Sequence, residues 1–240
     1  MQTFVDTFIR TIRLALALAA AIPSALAADA TIGGVSIKLP PPAGFCELTD
    51  TDPSDKHMLT VLTDIVGKSG NKLLSLAADC RQLTDWRAHT RSVLDDYLQY
   101  QVPIAQMDNT NPEPVKKTCA ALRAQGDKLV ADQAPDINSR IESALAKVKI
   151  NETSFIGVLG EDATACYGGL IQKLRTEAGT DKTQLTLLAA TIVKNKSIFA
   201  YRSAIYVNSD TVTQTLTKFK TDIAALLAAN KMGFVESANR

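Results

Sequence analysis

The stretch that decides the fold is LTLLAATIVKNKSIFAYRSAIYVN, residues 185–208. It consists of two runs rich in β-branched and aromatic residues, joined by a tight turn that we place at Asn195-Lys196. The stretch therefore predicts an antiparallel hairpin.

The segment that follows, SDTVTQTLTKFKTDIAALLAAN at 209–230, predicts an amphipathic helix. Ser209 or Asp210 can cap its start. Its apolar residues are spaced by three or four positions: Val212, Leu216, Phe219, Ile223, Leu226 and Leu227. We expect this face to pack on the sheet, with Lys218, Lys220 and Asp222 on the solvated face.

The rest of the chain predicts an α+β fold, an antiparallel β-sheet packed with helices as an α/β sandwich. SIKLPPPAGFCEL at 36–48 predicts a hairpin around Ala43-Gly44 whose second arm carries Cys46. The other predicted elements are a helix from 53 to 67, strands at 71–79 and 97–102, two helices separated at Pro135, and strands at 154–160 and 163–174. We expect one domain over 28–240 with a helical elaboration at about 112–148.

The first residues, MQTFVDTFIRTIRLALALAAAIPSALAADA, have the pattern of a secretory signal peptide. Arg10 and Arg13 precede an apolar run at 14–22, and Ala25-Leu26-Ala27 is a small-residue cleavage site. We predict a signal peptide over 1–27, cleavage after Ala27, and a periplasmic or secreted protein. No later stretch is apolar over the ~20 residues that a spanning helix needs, so we expect no transmembrane segment in the mature chain.

The charge of the chain argues against nucleic acid as a partner. The full sequence has 26 basic and 25 acidic residues. Cleavage after Ala27 would remove Arg10, Arg13 and Asp6, which leaves the two signs in balance. A nucleic-acid-binding surface requires an excess of Lys and Arg.

Four cysteines, Cys46, Cys80, Cys119 and Cys166, follow the predicted cleavage site. An even count in an oxidising compartment favours disulfides. We favour a Cys46–Cys80 bond worth roughly 3 to 4 kcal/mol, with Cys119 and Cys166 either paired or left as buried thiols. No C-x-x-C pair occurs and neither histidine has ligand spacing to a cysteine, so we expect no metal site.

The best candidate for a ligand site is formed by Trp86, Arg87 and His89, which lie in the polar connection CRQLTDWRAHTRSV at 80–93. Arg202 is a further candidate, because it lies among apolar residues and must either pair with a carboxylate at a sheet edge or face a ligand. No cofactor is expected. Gly67-Lys68-Ser69 resembles the end of a phosphate-binding loop, but position 62 is leucine where that loop needs glycine.

The order of these elements resembles the PsbP/Mog1-like α/β sandwich. The resemblance lies in the IKLPPPAGF segment at 37–45, the helix and central antiparallel strands, and ATIVKNKSIFAYRSAIYV at 190–207 before one amphipathic helix. It implies a non-catalytic accessory factor or small partner-binding domain, and it supplies no site residues.

Three functions remain open. The first is an exported, non-catalytic accessory or binding protein with a protein partner in the cell envelope. The second is a secreted hydrolase with residues dispersed among Ser69, His57, His89, Asp85 and Asp96, although no G-x-S-x-G or H-E-x-x-H occurs. The third is a small-ligand carrier whose pocket is lined by Trp86, Tyr100 and Tyr201. No catalytic motif is present, so we expect a protein that is not an enzyme.

Overall fold

The computed structural model describes residues 28–144, 148–177 and 179–231. The predicted signal peptide lies outside these residues. The described chain contains nine strands and four helices: β1 (Ala28–Ile32), β2 (Val35–Leu39), β3 (Phe45–Glu47), α1 (Pro53–Lys68), β4 (Asn71–Asp79), α2 (Cys80–Arg87), β5 (Tyr97–Pro103), α3 (Val115–Ala144), β6 (Val148–Glu161), β7 (Ala165–Thr176), β8 (Asp181–Val193), β9 (Lys196–Ile205) and α4 (Ser209–Lys231). Within this part of the chain, no helix combines the length and the apolar character needed to cross a membrane.

Seven strands form one antiparallel sheet in the order β3-β4-β5-β9-β8-β7-β6, and β1 and β2 form a separate ribbon. Helix α4 and the ribbon pack on one face of the sheet, where the main core lies. Helices α1 and α3 pack on the other face, over β4 and over β6 and β7 respectively. The predicted α+β class, an antiparallel sheet packed with helices, is confirmed.

The predicted C-terminal hairpin is present as β8 and β9, with its turn one residue earlier than expected. Val193 pairs with Lys196, so the two turn residues are Lys194 and Asn195, at φ 47° and 60°. A two-residue turn with both central residues left-handed matches the twist of the flanking strands, and asparagine tolerates that conformation well. The turn therefore fixes the register of the two central strands.

Helix α4 is also present, but its cap was predicted one or two residues too late. The side-chain oxygen of Asn208 accepts hydrogen bonds from the backbone N–H groups of Asp210 and Thr211, at 3.0 and 3.3 Å. Phe219, Ile223 and Leu226 are buried against the sheet as expected. Asp222 was predicted to be solvated, which is wrong, because its carboxylate pairs with Arg202 inside the structure.

The predicted hairpin around Ala43-Gly44 is wrong. Strand β2 pairs with β1 across a turn at Gly33-Gly34, whereas β3 pairs with β4 in the main sheet. Pro40, Pro41 and Pro42 have no backbone N–H and cannot continue a ladder, so the chain leaves the ribbon there and enters the sheet at Phe45. By contrast, the strands predicted at 71–79 and 97–102 are present as β4 and β5, and they pair antiparallel.

The two helices predicted within 112–148 are one continuous helix, α3, with Pro135 inside it. A proline removes one backbone hydrogen bond, and this loss does not end a long surface helix. Asp136 does not cap a second helix; its carboxylate forms an ion pair of 2.7 Å with Arg140, four residues later. Among the described residues of α3, only Cys119 and Gly126 are fully buried, so the helix packs shallowly.

Two disulfides tie helices to the sheet. Cys46–Cys80 joins β3 to the start of α2 and is the predicted pair, while Cys119–Cys166 joins α3 to β7 and resolves the alternative left open for those cysteines. The bonds span 34 and 47 residues. In the loop-entropy model each stabilises the fold by about 4 kcal/mol. The second bond anchors the helix that has the least buried surface.

Two helical glycines provide a matched test of how α3 meets the sheet. A Cβ on Gly126 would lie 2.2 Å from Cε1 of Phe155, whereas a Cβ on Gly67 in α1 would meet nothing within 4 Å. We expect Gly67→Ala to raise the free energy of unfolding by up to about 1 kcal/mol through helix propensity. We expect Gly126→Ala to lower it by about 1 to 3 kcal/mol through overpacking. Urea unfolding measures both, and a stabilised Gly126→Ala variant would contradict the close packing of α3 on β6.

Candidate functional site

A cleft of about 680 Å³ opens where α1 begins, beside the loop after α2, the last residue of α3 and the first residue of β6. Its lining contains both polar and apolar side chains. The lining residues are Pro53, Ser54, His57, Trp86, His89, Thr90, Arg91, Ser92, Ala144 and Val148. We refer to this space as the histidine cleft.

Local sequence explains why these residues meet. Asp52 caps α1 by accepting a hydrogen bond of 2.9 Å from the backbone N–H of Ser54, and Pro53 occupies the first helical position. His57 therefore lies one turn inside the helix. At the end of α2, His89 adopts φ 57°, which turns the chain away from the helix into the loop that forms the cleft wall.

A smaller apolar cavity of about 120 Å³ adjoins the histidine cleft and shares Ser92 and Val148 with it. It lies between α1, α3 and the sheet. Its apolar lining consists of Met58, Leu62, Leu76, Val93, Leu94, Tyr97, Ile141, Val148, Ile150 and Leu174. Ser92, Gln172 and Gln184 complete the wall, so no described residue that lines it carries a formal charge. We call this space the apolar cavity.

The four candidate ligand residues separate into two groups. Trp86 and His89 line the histidine cleft. The guanidinium of Arg87 instead pairs with the fully buried Asp55, with Nε 3.1 Å from the carboxylate, and this pairing raises the pKa of Arg87. Arg202 contacts α4, on the opposite side of the sheet from α1. Arg87 and Arg202 therefore hold elements together and do not contribute to the cleft.

Two N–H groups of cleft residues are shielded from solvent without a hydrogen-bond partner in the described structure: Nε1 of Trp86 and Nε of Arg91. The Nη1 atom of Arg91 is engaged, at 2.9 Å from the Asp95 carboxylate. An unsatisfied buried donor costs about 1 to 3 kcal/mol. Such groups are uncommon in folded proteins. Both atoms are shut off from solvent, and therefore from the open cleft.

The sequence names His57 only as one of the dispersed hydrolase candidates, and it does not single out Arg91. Nothing local in the sequence brings His57 within reach of the loop after α2, because the contact depends on the fold. Of the three residues predicted to line a carrier pocket, Trp86 lines the cleft, whereas Tyr100 and Tyr201 do not. Tyr100 is 1% exposed and lies in the core on the α4 face of the sheet.

The residues considered for a hydrolase are not assembled into a catalytic arrangement. The hydroxyl of Ser69 donates to the backbone oxygen of Ile65 at the end of α1, and Asp96 lies beside Arg202. In the described part of the chain, neither imidazole is hydrogen-bonded to a carboxylate or a hydroxyl, which a nucleophile and base pair needs. Within the same residues, no group of three or more His, Cys, Asp or Glu side chains is placed to hold a metal ion.

Arg202 forms a buried ionic cluster in the middle of the sheet, not at an edge. It is 5% exposed, with Nη1 2.6 Å from Asp222 of α4 and Nη2 3.4 Å from Asp96. Its guanidinium carbon lies 4.5 Å from the centre of the Phe45 ring. Burial raises the pKa of both Asp96 and Asp222, although Arg202 opposes the shift.

These pKa shifts define the pH dependence of the cluster. A carboxyl whose pKa is higher in the folded than in the unfolded chain binds its proton more tightly when folded. The linked contribution to stability is therefore fully present below the unfolded pKa and is lost as the pH rises through the folded pKa. Asp96 and Asp222 thus favour the fold more at mildly acidic than at alkaline pH.

Arg202→Leu tests the cluster. Removing the cation leaves the carboxylates of Asp96 and Asp222, 32% and 11% exposed, without that partner, and we expect the free energy of unfolding to fall by up to about 3 kcal/mol near neutral pH. The loss should be smaller near about pH 5, because protonation then neutralises the carboxylates. Arg123→Leu, which breaks the more exposed pair with Glu161, should cost about 0 to 1 kcal/mol at both pH values. Equal losses in the two variants would show that Arg202 is not buried.

No protein-family model matches this chain, and no curated protein is significantly similar to it.

Proposed function

We propose that this chain is an exported, non-catalytic binding protein, and that the histidine cleft with the adjoining apolar cavity is its binding site. The observation that carries the proposal is the cleft itself. Its volume of about 680 Å³ falls within the range of about 300 to 1,000 Å³ that is usual for small-molecule sites, and the adjoining cavity supplies the apolar lining that such sites usually have.

The chain also has features that favour export. The pattern of residues 1–27 is that of a signal peptide, and two disulfides fit an oxidising location. The role of an accessory factor with a protein partner in the cell envelope, which the PsbP/Mog1-like resemblance implies, remains a prediction. The cleft favours a small ligand over an extended protein surface, because it is concave and adjoins a cavity inside the fold.

A ligand screen with a blocking variant tests this function. Trp86 is the only tryptophan in the chain and lies in the cleft wall, so its fluorescence reports on the site directly. We expect at least one class among anionic, neutral and cationic small molecules to change Trp86 emission and to raise the melting temperature of the oxidised mature protein. Ala144→Phe should abolish both effects, because the ring would fill part of the cleft.

Ala131→Phe is the matched control, because Ala131 is exposed on the same helix and does not line the cleft. It should bind as the unmodified protein does. Binding that survives Ala144→Phe unchanged would place the site elsewhere. Absence of any response across the three classes would overturn the proposed function.

A further inference from the structure

We infer that the ligand of the histidine cleft is a small amphipathic anion, with a carboxylate held in the cleft and a compact apolar group in the apolar cavity. This inference rests on the proposed function and narrows it to one chemical class. It follows from two separate properties of the walls: the donors that surround the cleft and the uncharged lining of the cavity behind it.

The lining of the histidine cleft consists of donors without an opposing acid. His57, His89 and Arg91 contribute nitrogen donors, and Ser54, Thr90 and Ser92 contribute hydroxyls. None of the described residues that line the cleft is acidic. A carboxylate can accept several such hydrogen bonds at once, and charge-assisted bonds are about twice as strong as neutral ones.

The carboxylates near this region are already engaged. The Asp52 side chain accepts from backbone N–H groups at the start of α1. Asp55 is held by Arg87. Asp95 lies 2.9 Å from Arg91 and 3.1 Å from Lys182, so two cations face one carboxylate. The cleft lining therefore has more hydrogen-bond donors than the neighbouring carboxylates accept from.

The apolar cavity limits the size of the apolar group that is attached to the carboxylate. Its volume of about 120 Å³ is slightly below that of an engineered apolar cavity of about 150 Å³ that binds benzene. It accommodates a short alkyl chain or a similarly compact group. Burial raises the pKa of Tyr97 in its wall, so the phenol stays uncharged and the cavity offers no site for a second ionic group.

Three probes with one tail and different head groups test the inference: sodium hexanoate, hexanol and hexylammonium, each titrated into the oxidised mature protein while Trp86 emission is recorded. We expect hexanoate to bind about tenfold or more tightly than either of the others, the factor that one charge-assisted hydrogen bond provides. Across butyrate, pentanoate and hexanoate, affinity should rise about fourfold per methylene.

Two substitutions test separately how the carboxylate and the alkyl chain of the ligand are bound. His57→Glu places a carboxylate in the cleft at an exposed helical position, and should weaken hexanoate about tenfold or more while leaving hexanol unchanged; His57→Gln is its matched neutral control. Ile141→Phe fills part of the apolar cavity, and should remove the gain per methylene while short carboxylates still bind. Melting curves check that each variant is folded.

The outcomes distinguish this inference from the proposed function. If hexanol or hexylammonium binds as well as hexanoate and Ala144→Phe blocks the binding, the cleft is a ligand site, but the inference that its ligand is an anion fails. If hexanoate binds preferentially and His57→Glu does not weaken it, the head is not held in the cleft and the inference fails. If none of the probes nor any member of the wider screen changes Trp86 emission, both proposals fail.

Discussion

The register of β8 against β9 is the constraint on which the rest of the structure depends. Side chains alternate between faces, so a slip of one residue would exchange the two faces of both central strands. The two left-handed residues at Lys194 and Asn195 prevent that slip, because they set Val193 opposite Lys196. This register directs Leu185 and Leu187 towards α4 together with Arg202, and directs the hydrogen-bonded pair Thr186 and Ser203 to the opposite face.

The two faces of the sheet are covered unequally, and the histidine cleft is a consequence of that difference. On one face α4 and the ribbon of β1 and β2 bury a continuous core. On the other, α1 covers β4 and α3 covers β6 and β7, so the helices lie towards opposite edges. Among the described residues, the start of α1, the end of α3 and the loop after α2 meet around the histidine cleft. The Cys119–Cys166 bond holds α3 near its other end, so the cleft lies far along the helix from its covalent anchor.

Local sequence patterns correctly predicted the elements that form within one stretch of the chain. They failed where a strand or helix packs against residues that are distant in the sequence. The β8–β9 hairpin and α4 follow from residues 185–230, whose period and turn chemistry agree. The first hairpin was misassigned because the prolines at 40–42 look like a turn between two paired strands, whereas the pairing partners are Ala28–Ile32 and Asn71–Asp79. Pro135 suggested a helix end because sequence alone does not show that α3 packs on β6 on both sides of it. Trp86 and His89 could be proposed from composition, but His57 joins them only through the placement of α1 on the sheet.

The cleft combines rigid and adaptable parts in a way that suits binding. His57 is on a helix whose first turn is capped by Asp52, and the neighbouring Asp55 is locked to Arg87, so this wall is fixed by ionic and hydrogen-bonded contacts. The opposite wall is the loop at 88–96, which is held by a few side-chain contacts, among them Gln82 accepting from the backbone N–H of Asp95. A ligand that binds against the α1 wall would meet side chains that need little reorganisation, while the loop can adjust to it. The nitrogen and hydroxyl donors that line the cleft are therefore a better guide to the ligand than the volume of the cleft alone.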